Sequence, residues 1–338
     1  MKVIQARIRG LGPTIESKWF DLSPHLNLFH YHDDLGRAAF LRTLATINPP
    51  SSCRSAKTFA DFPLFIDQQG HTRRIRPEKR TVALAIFNAT PDLVKELAAI
   101  DQHLYETDRI EVGRRLDCSR WINFVEIASS TRWSEISSDI KHLIDLTEKN
   151  TPNRTGPFAT LVNSLKASDR IKDGLDYRLA GWLTSLPDTI SAGSPQLIET
   201  MLDAVRRAEH FHRARSIVER RLPLFIVLKT LPNSTHSTLM TLQAATLLAI
   251  AFGRVTCQTE PVLLFNSPER FLPAALHPEL ADFILRIALF CQCLYGYAAI
   301  DIFPEDREIK RYTISELALG QGKSHLSTPA DTLQSALR

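Results

Sequence analysis

The chain has 338 residues, 44% hydrophobic and 23% charged, which is core material for one large α/β domain with an insertion or for two domains. Lysine plus arginine (41) exceeds aspartate plus glutamate (37) by four, so any basic partner surface must be local, and the balance neither demands nor excludes nucleic acid. Five irregularly spaced cysteines exclude a disulfide framework, and the close pair Cys291-Gln292-Cys293 suits neither a zinc knuckle nor a redox CxxC, so buried free thiols of a reducing cytoplasm are expected.

From the N-terminus, "KVIQARIRGLG" alternates as a half-buried strand, and Met1 to Gly10 carries no charged-then-apolar leader pattern. "SKWFDLSPHLNLF" reads as two short strands broken at Ser23-Pro24. The polar turn "HYHDD" follows, then a helix from about Gly36 to Ile47 with Phe40, Leu41, Leu44 and Ile47 on its apolar face and a stop at Pro49-Pro50. The basic stretch 71–80 is expected to form a hairpin edge, and "TVALAIF" a buried strand. "TPDLVKELAAIDQHL" reads as a helix with Thr90 as N-cap and Pro91 at its first position. "DRIEVGRRL" and "RWINFVEIA" return as strands.

Between about Ser134 and Pro223 the pattern turns helical, with breaks at Pro152, Pro187 and Pro195 that exclude a long coiled coil. After Pro223 the α/β pattern resumes. "LPLFIVLKTL" and "PVLLFNSPE" read as strands, and "STHSTLMTLQAATLLAIAFGR" as a helix apolar nearly all round and hence buried. The apolar runs around Leu239–Phe252 and Phe283–Leu294 contain polar residues and fall short of the roughly 18–20 residues that span a bilayer, so no membrane partner is expected. "HPELADFILRIALFCQ" reads as a helix, and "CLYGYAAIDIF" and "REIKRYTISEL" as strands. The expected organisation is two α/β halves, 1–133 and 223–319, around a helical insertion at 134–222, with a polar, disordered tail at 320–338.

The order "IRGLGP…FDLSPHLNLF", polar turn, "LRTL" resembles the N-terminus of the SMC/RecF-type branch of the ABC ATPases. The frame fits without a gap. The first glycine of the family's GxxxxGK[ST] loop (Walker A) falls on Tyr31, the second on Gly36, the lysine on Arg37 and the Ser/Thr on Ala38. "PVLLFNSPERFLPAALHPEL" resembles the Walker B strand and its loop. The metal-shell aspartate falls on Asn266 and the water-polarising glutamate on Ser267, while Pro268 and Glu269 are kept. "NSTHSTLMTLQAATLLAIAF" is similar to the signature segment, with Ser234-Thr235-His236 in place of the glycine-rich turn. No histidine stands in "GYAAIDIF", where the family's switch is expected.

The resemblance implies an α/β ABC-ATPase-like P-loop NTPase head, mixed sheets with flanking helices, carrying a helical insertion. A working P-loop needs glycines that turn backbone N–H groups onto the phosphates, a lysine for the β/γ-phosphates and a hydroxyl for Mg²⁺. Tyr31 cannot take glycine conformations cheaply, Ala38 has no oxygen, and Asp33 and Asp34 put negative charge where a triphosphate should lie. Arg37 keeps the charge on a broader fork, and Ser267 offers no base. The expectation is a pseudo-ATPase with no catalytic residues and no cofactor, acting as a scaffold or regulatory subunit, with DNA repair or anti-phage defence as the family's implied settings. The alternative is an ATPase that binds Mg-ATP through substitute ligands such as Asp33, Asp34 or Glu269.

Family heads pair face to face, so a homodimer or a protein partner (an active ATPase, a nuclease or another effector) is implied. "GQGKS" at Gly320–Ser324 is a decoy, since Leu317 stands where the first loop glycine is needed. His30, His32 and Asp33 are read as a hydrogen-bonded turn before a metal site, and His210 and His212 as surface histidines. The helix around Arg206, Arg207, Arg213, Arg215, Arg220 and Arg221 reads first as a solvated face with Glu209 and Glu219 pairs. It is also the candidate for DNA-phosphate contacts.

Overall fold

The computed structural model describes residues 1–11, 14–50, 80–101, 105, 107–125, 131–150, 156–167, 169–171, 174–186, 194–228, 236–306 and 308–317. The expected hairpin edge at 71–79, the "GQGKS" decoy, the tail at 320–338 and Cys53 lie outside these residues. The chain forms two compact units, one of residues 1–91, 107–125 and 220–338, the other of 92–106 and 126–219.

The first unit holds two sheets. Strands β1 (Lys2–Leu11), β2 (Thr14–Glu16), β3 (Phe20–Asp21), β5 (Thr81–Asn88), β6 (Arg109–Arg115) and β7 (Arg120–Phe124) form an antiparallel sheet in the order β2-β1-β5-β6-β7, with β3 beside β1. Strands β4 (Leu26–His30), β8 (Phe225–Leu228), β9 (Val262–Asn266), β10 (Gln292–Tyr297) and β11 (Lys310–Thr313) form a wholly parallel sheet in the order β11-β4-β10-β9-β8. The β4, β9 and β10 runs are buried almost throughout, as in a sheet covered on both faces. Leu28, Leu263, Phe265 and Tyr295 pack with Leu239, Leu242, Ile250, Ile284 and Ile287 from the flanking helices.

The first helix, α1, runs Asp34–Ala45, two residues ahead of the expected start, because Asp33 caps it. Its far end is closed by buried Arg114 of β6, whose Nε donates to Thr46 O (2.7 Å) and whose terminal nitrogen donates to Ile47 O (3.0 Å). Lower down, buried Gln292 of β10 accepts from Val3 N (2.9 Å) and donates to Val3 O (2.7 Å) and Ser23 O (2.8 Å), pairing backbone groups of the β1 region.

Several expectations need correction. "REIKRYTISEL" is a four-residue strand followed by a short helix, Ile314–Leu317, not one strand. The helix at 91 ends at Ala98, and its residues from Asp92 cluster with the helical unit rather than with the first α/β half. The helix His236–Cys257 is not buried all round, since Met240, Leu247, Leu248, Phe252 and Val255 are exposed while Leu239, Leu242, Ala249 and Ile250 face the core. Its segment Ser237–Cys257 also meets the length and hydropathy of a membrane span, because its one charge is Arg254 in the last turn and its other polar residues are hydroxyls and an amide. Its inner face is nevertheless committed to the sheet.

The second unit is helical: Trp133–Asn150, Gly156–Asn163, Leu175–Thr184 and Pro195–Arg221, of which the last crosses into the first unit at its end. Its core is Trp133, Ile136, Ile140, Leu143, Leu179, Met201, Val205 and Ala208. The histidines read as surface groups are half-buried and bonded. His212 Nε2 lies 2.8 Å from Ile171 O, and His210 Nδ1 lies 3.5 Å from Asp101.

Candidate functional site

In an open parallel sheet, ligands bind beyond the carboxyl ends of the strands. Here β4, β10 and β9 lie side by side, and Gly296 is in register with both Phe29 and Asn266, so the turn after β4 and the turn after β9 open at one edge. The positions predicted from the sequence, Tyr31, Gly36, Arg37, Asn266, Ser267 and Glu269, are brought together at this corner.

Arg37 is 1% exposed and spans it. Its Nε donates to Asn266 Oδ1 (3.0 Å), one terminal nitrogen to Tyr31 O (3.1 Å) and the other to Asp34 Oδ1 (2.8 Å). The stem crosses over Gly296, where a Cβ would stand 2.8 Å from Arg37 Cδ, so a glycine on the middle strand makes room for it. The side chain is thus directed along the sheet edge, with all three nitrogens used, rather than outward toward a ligand.

The N-terminus of α1 is filled in the same way. Asp33 accepts from Gly36 N (2.7 Å) and Leu35 N (3.3 Å), placing a carboxylate on the N–H groups that a phosphate would need. Tyr31 lies over Gly36, and a Cβ there would come within 2.1 Å of the ring, so this glycine is explained by the tyrosine and not by a phosphate. Ala38 follows half-buried, without an oxygen. Asp34 also pairs with Arg270, and the two guanidinium groups hold its carboxyl below the usual aspartate value, the Arg270 bond contributing most.

On the β9 side, Ser267 sits 1% exposed in the left-handed region (φ 48°), which a non-glycine residue adopts at a cost. Both its backbone N (2.8 Å) and its Oγ (3.0 Å) donate to Gly296 O, so the hydroxyl is turned into the fold. Glu269 is buried against Tyr295, whose hydroxyl donates to it. Burial pushes the carboxyl above the usual glutamate value, with Tyr295 and Arg37 opposing. His277 Nε2 lies 3.0 Å from Glu269 O, holding the turn.

The residues present do not fit Mg-ATP. The helix terminus carries Asp33, the cation is consumed by Asn266, Tyr31 and Asp34, and Glu269 is enclosed. Among the described residues no group of three or more His, Cys, Asp or Glu is placed to hold a metal. Edge-to-face packing of the His30 and His32 rings (centroids 4.5 Å) and the His30 Nε2 contact with Ala298 O (3.0 Å) give those histidines structural roles.

Ser234 and Thr235 of the signature turn lie outside the described residues, and His236 opens the helix that follows. On the helix Pro195–Arg221, Arg206 pairs with Asp203 and Arg215 with Glu219, Arg221 is half-buried, and Arg207, Arg213 and Arg220 are exposed. Arg270, Tyr295 and Gly296 were missed as site residues. The wide side chain of Arg37 beside a glycine on the strand between the two motif strands is the signal that could have found Gly296.

No family model matches the sequence, and no curated protein matches it. Similar solved structures include an SMC head bound to the C-terminal winged-helix domain of ScpA, at 12% identity over 88% of this chain and 90% of that one, TM-score 0.39. A second is the Smc head with an extended coiled coil bound to the C-terminal domain of ScpA derived from Pyrococcus furiosus, at 10% identity over 88% and 90%, TM-score 0.37. A third is the recombination mediator RecF with ATP, at 9% identity over 92% and 97%, TM-score 0.32. These superpositions are loose. The assignment of a mixed α/β, ABC-head-like architecture rests on the parallel sheet, the strand separating the two motif-bearing strands, and the meeting of both motif frames at one edge.

Proposed function

We propose that the chain is a non-catalytic ABC-type head, a pseudo-ATPase that serves as a scaffold or regulatory subunit of a larger assembly. One observation carries this reading: at the position of the nucleotide-binding lysine, Arg37 is buried and bonded through all three of its nitrogens. Asp33 supplies the helix terminus with its own anion, so a triphosphate would have to displace an internal carboxylate and meet Asp34 beside it. A carboxylate held by two backbone N–H groups is anchored at no translational cost, whereas a free ligand pays for its capture.

DNA repair and anti-phage defence are the settings proposed, by analogy of fold alone. Purified protein incubated with radiolabelled ATP and Mg²⁺ is expected to release no phosphate above a buffer control. Turnover that disappears in Arg37→Ala, with the variant still folded, would overturn the reading.

A further inference from the structure

The helix His236–Cys257 has 22 residues and is about 33 Å long at 1.5 Å per residue. One face packs in the core of its unit through Leu239, Leu242, Ala249 and Ile250. The other is exposed and apolar: Met240, Leu247, Leu248, Phe252 and Val255 are 63%, 57%, 72%, 47% and 84% exposed, with exposed Ala244 and Ala251 between them. No acidic or basic residue occurs from Ser237 to Gly253. A soluble surface helix ordinarily carries charge on this side.

The order of residues on the stripe says what covers it. Read from its centre between Leu247 and Leu248, the stripe places apolar residues at matching steps in both directions: Leu, then Ala (Ala244 or Ala251), then Met240 or Val255, with Phe252 alone mirrored by a polar residue, Gln243. Two copies laid antiparallel about that centre set Leu247 against Leu248, Ala244 against Ala251 and Met240 against Val255. Each contact is made twice, as a two-fold interface requires. The small alanines flanking the central leucines let the helices approach, and antiparallel macrodipoles attract. Exposure of the five large side chains leaves roughly 600 Å² open on one copy and about 1,200 Å² on a facing pair, the lower bound of a standard interface. A lipid surface fits less well, because a helix lying on a membrane carries Lys and Arg on its polar side, and this one has none before Arg254.

We propose that this stripe is the interface between two copies of the chain, packed as an antiparallel helix pair. It uses none of the residues that fill the nucleotide corner, so dimer formation is independent of Mg-ATP. Loss of the dimer would leave the reading of that corner standing, and ATP turnover would overturn that reading without touching the dimer.

The full chain at micromolar concentration is expected to run as a dimer by light scattering coupled to size exclusion, with or without Mg-ATP. Leu248→Glu puts a charge on a side chain already exposed, so it should leave the melting of the dissociated monomer unchanged and raise the dimer dissociation constant at least tenfold. A disulfide trap fixes the direction. Against a wild-type control for the native thiols, Ala244→Cys with Ala251→Cys should cross-link under oxidation, and neither substitution alone should. Four results overturn the proposal: a monomeric wild type, a dimer unchanged by Leu248→Glu, cross-linking by Ala244→Cys alone, and flotation with phosphatidylcholine or phosphatidylserine vesicles that Leu248→Glu abolishes.

Discussion

Two regions of the first unit are built on opposite rules. At the corner beyond β4 and β9, the cation and the helix terminus that would receive a phosphate already have partners in the chain: Arg37 has Asn266, Tyr31 and Asp34, and the helix terminus has Asp33. On the helix His236–Cys257, large apolar side chains stand in the open with nothing to offset their exposure. The corner has the outline of a binding site and is closed, while the stripe has no motif and is open. A partner binds where free energy remains to be gained, which points to the stripe.

The comparison breaks most visibly at Arg37. If its role is internal, Arg37→Ala removes three hydrogen bonds, leaves Tyr31 O and Asn266 short of a donor and opens a void. A loss of about 3 kcal/mol is expected in a denaturant melt. A lysine-like residue waiting for nucleotide would cost little when removed from the free protein, so a loss below about 1 kcal/mol would count against closure. Next in size is the stripe, where the tenfold weakening expected of Leu248→Glu corresponds to about 1.4 kcal/mol per dimer with no change in the monomer's stability. Asp33→Ala should cost about 1 kcal/mol through the lost cap, and Asp33→Asn, which keeps an acceptor oxygen, should recover most of it. Equal melting of the two variants would show that Asp33 does not cap α1.

The smallest effect is a pH dependence at Glu269. Its folded value is raised above the ordinary 4.5 chiefly by burial, so the folded chain binds this proton more tightly than the unfolded chain does. The associated stability is full below about 4.5 and is lost as pH rises through the folded value. Glu269→Gln is neutral and keeps an acceptor for Tyr295. It should therefore melt higher than wild type at neutral pH, with the gap closing as pH falls toward 4.5. A gap that widens on acidification would reverse the sign and the account of this carboxyl.

In the parallel sheet β8 and β9 were legible because they are continuous apolar runs, and the corner because the spacing from Tyr31 to Ala38 and the turn at Asn266-Ser267 match a known frame. What the spacing could not convey was direction. The sequence shows an arginine in place of a lysine. That its guanidinium crosses Gly296 to reach Asn266 depends on β10 lying between β4 and β9, a pairing of residues more than 200 positions apart. The two aspartates read alike as negative charges, yet one caps a helix and the other bridges two arginines. The helix His236–Cys257 was misjudged for a related reason. Periodicity separates an amphipathic helix from a uniformly apolar one, but not a helix with two buried faces from one with a single buried face and an apolar exposed one.

The most direct test of the central claim is titration of the full chain with Mg-ATP, followed by heat of binding and by melting temperature. A corner closed by its own charges predicts no saturable heat and a flat melting temperature into the millimolar range. A saturable, Mg²⁺-dependent heat accompanied by a rise in melting temperature, both removed by Arg37→Ala in a variant that remains folded, would contradict it.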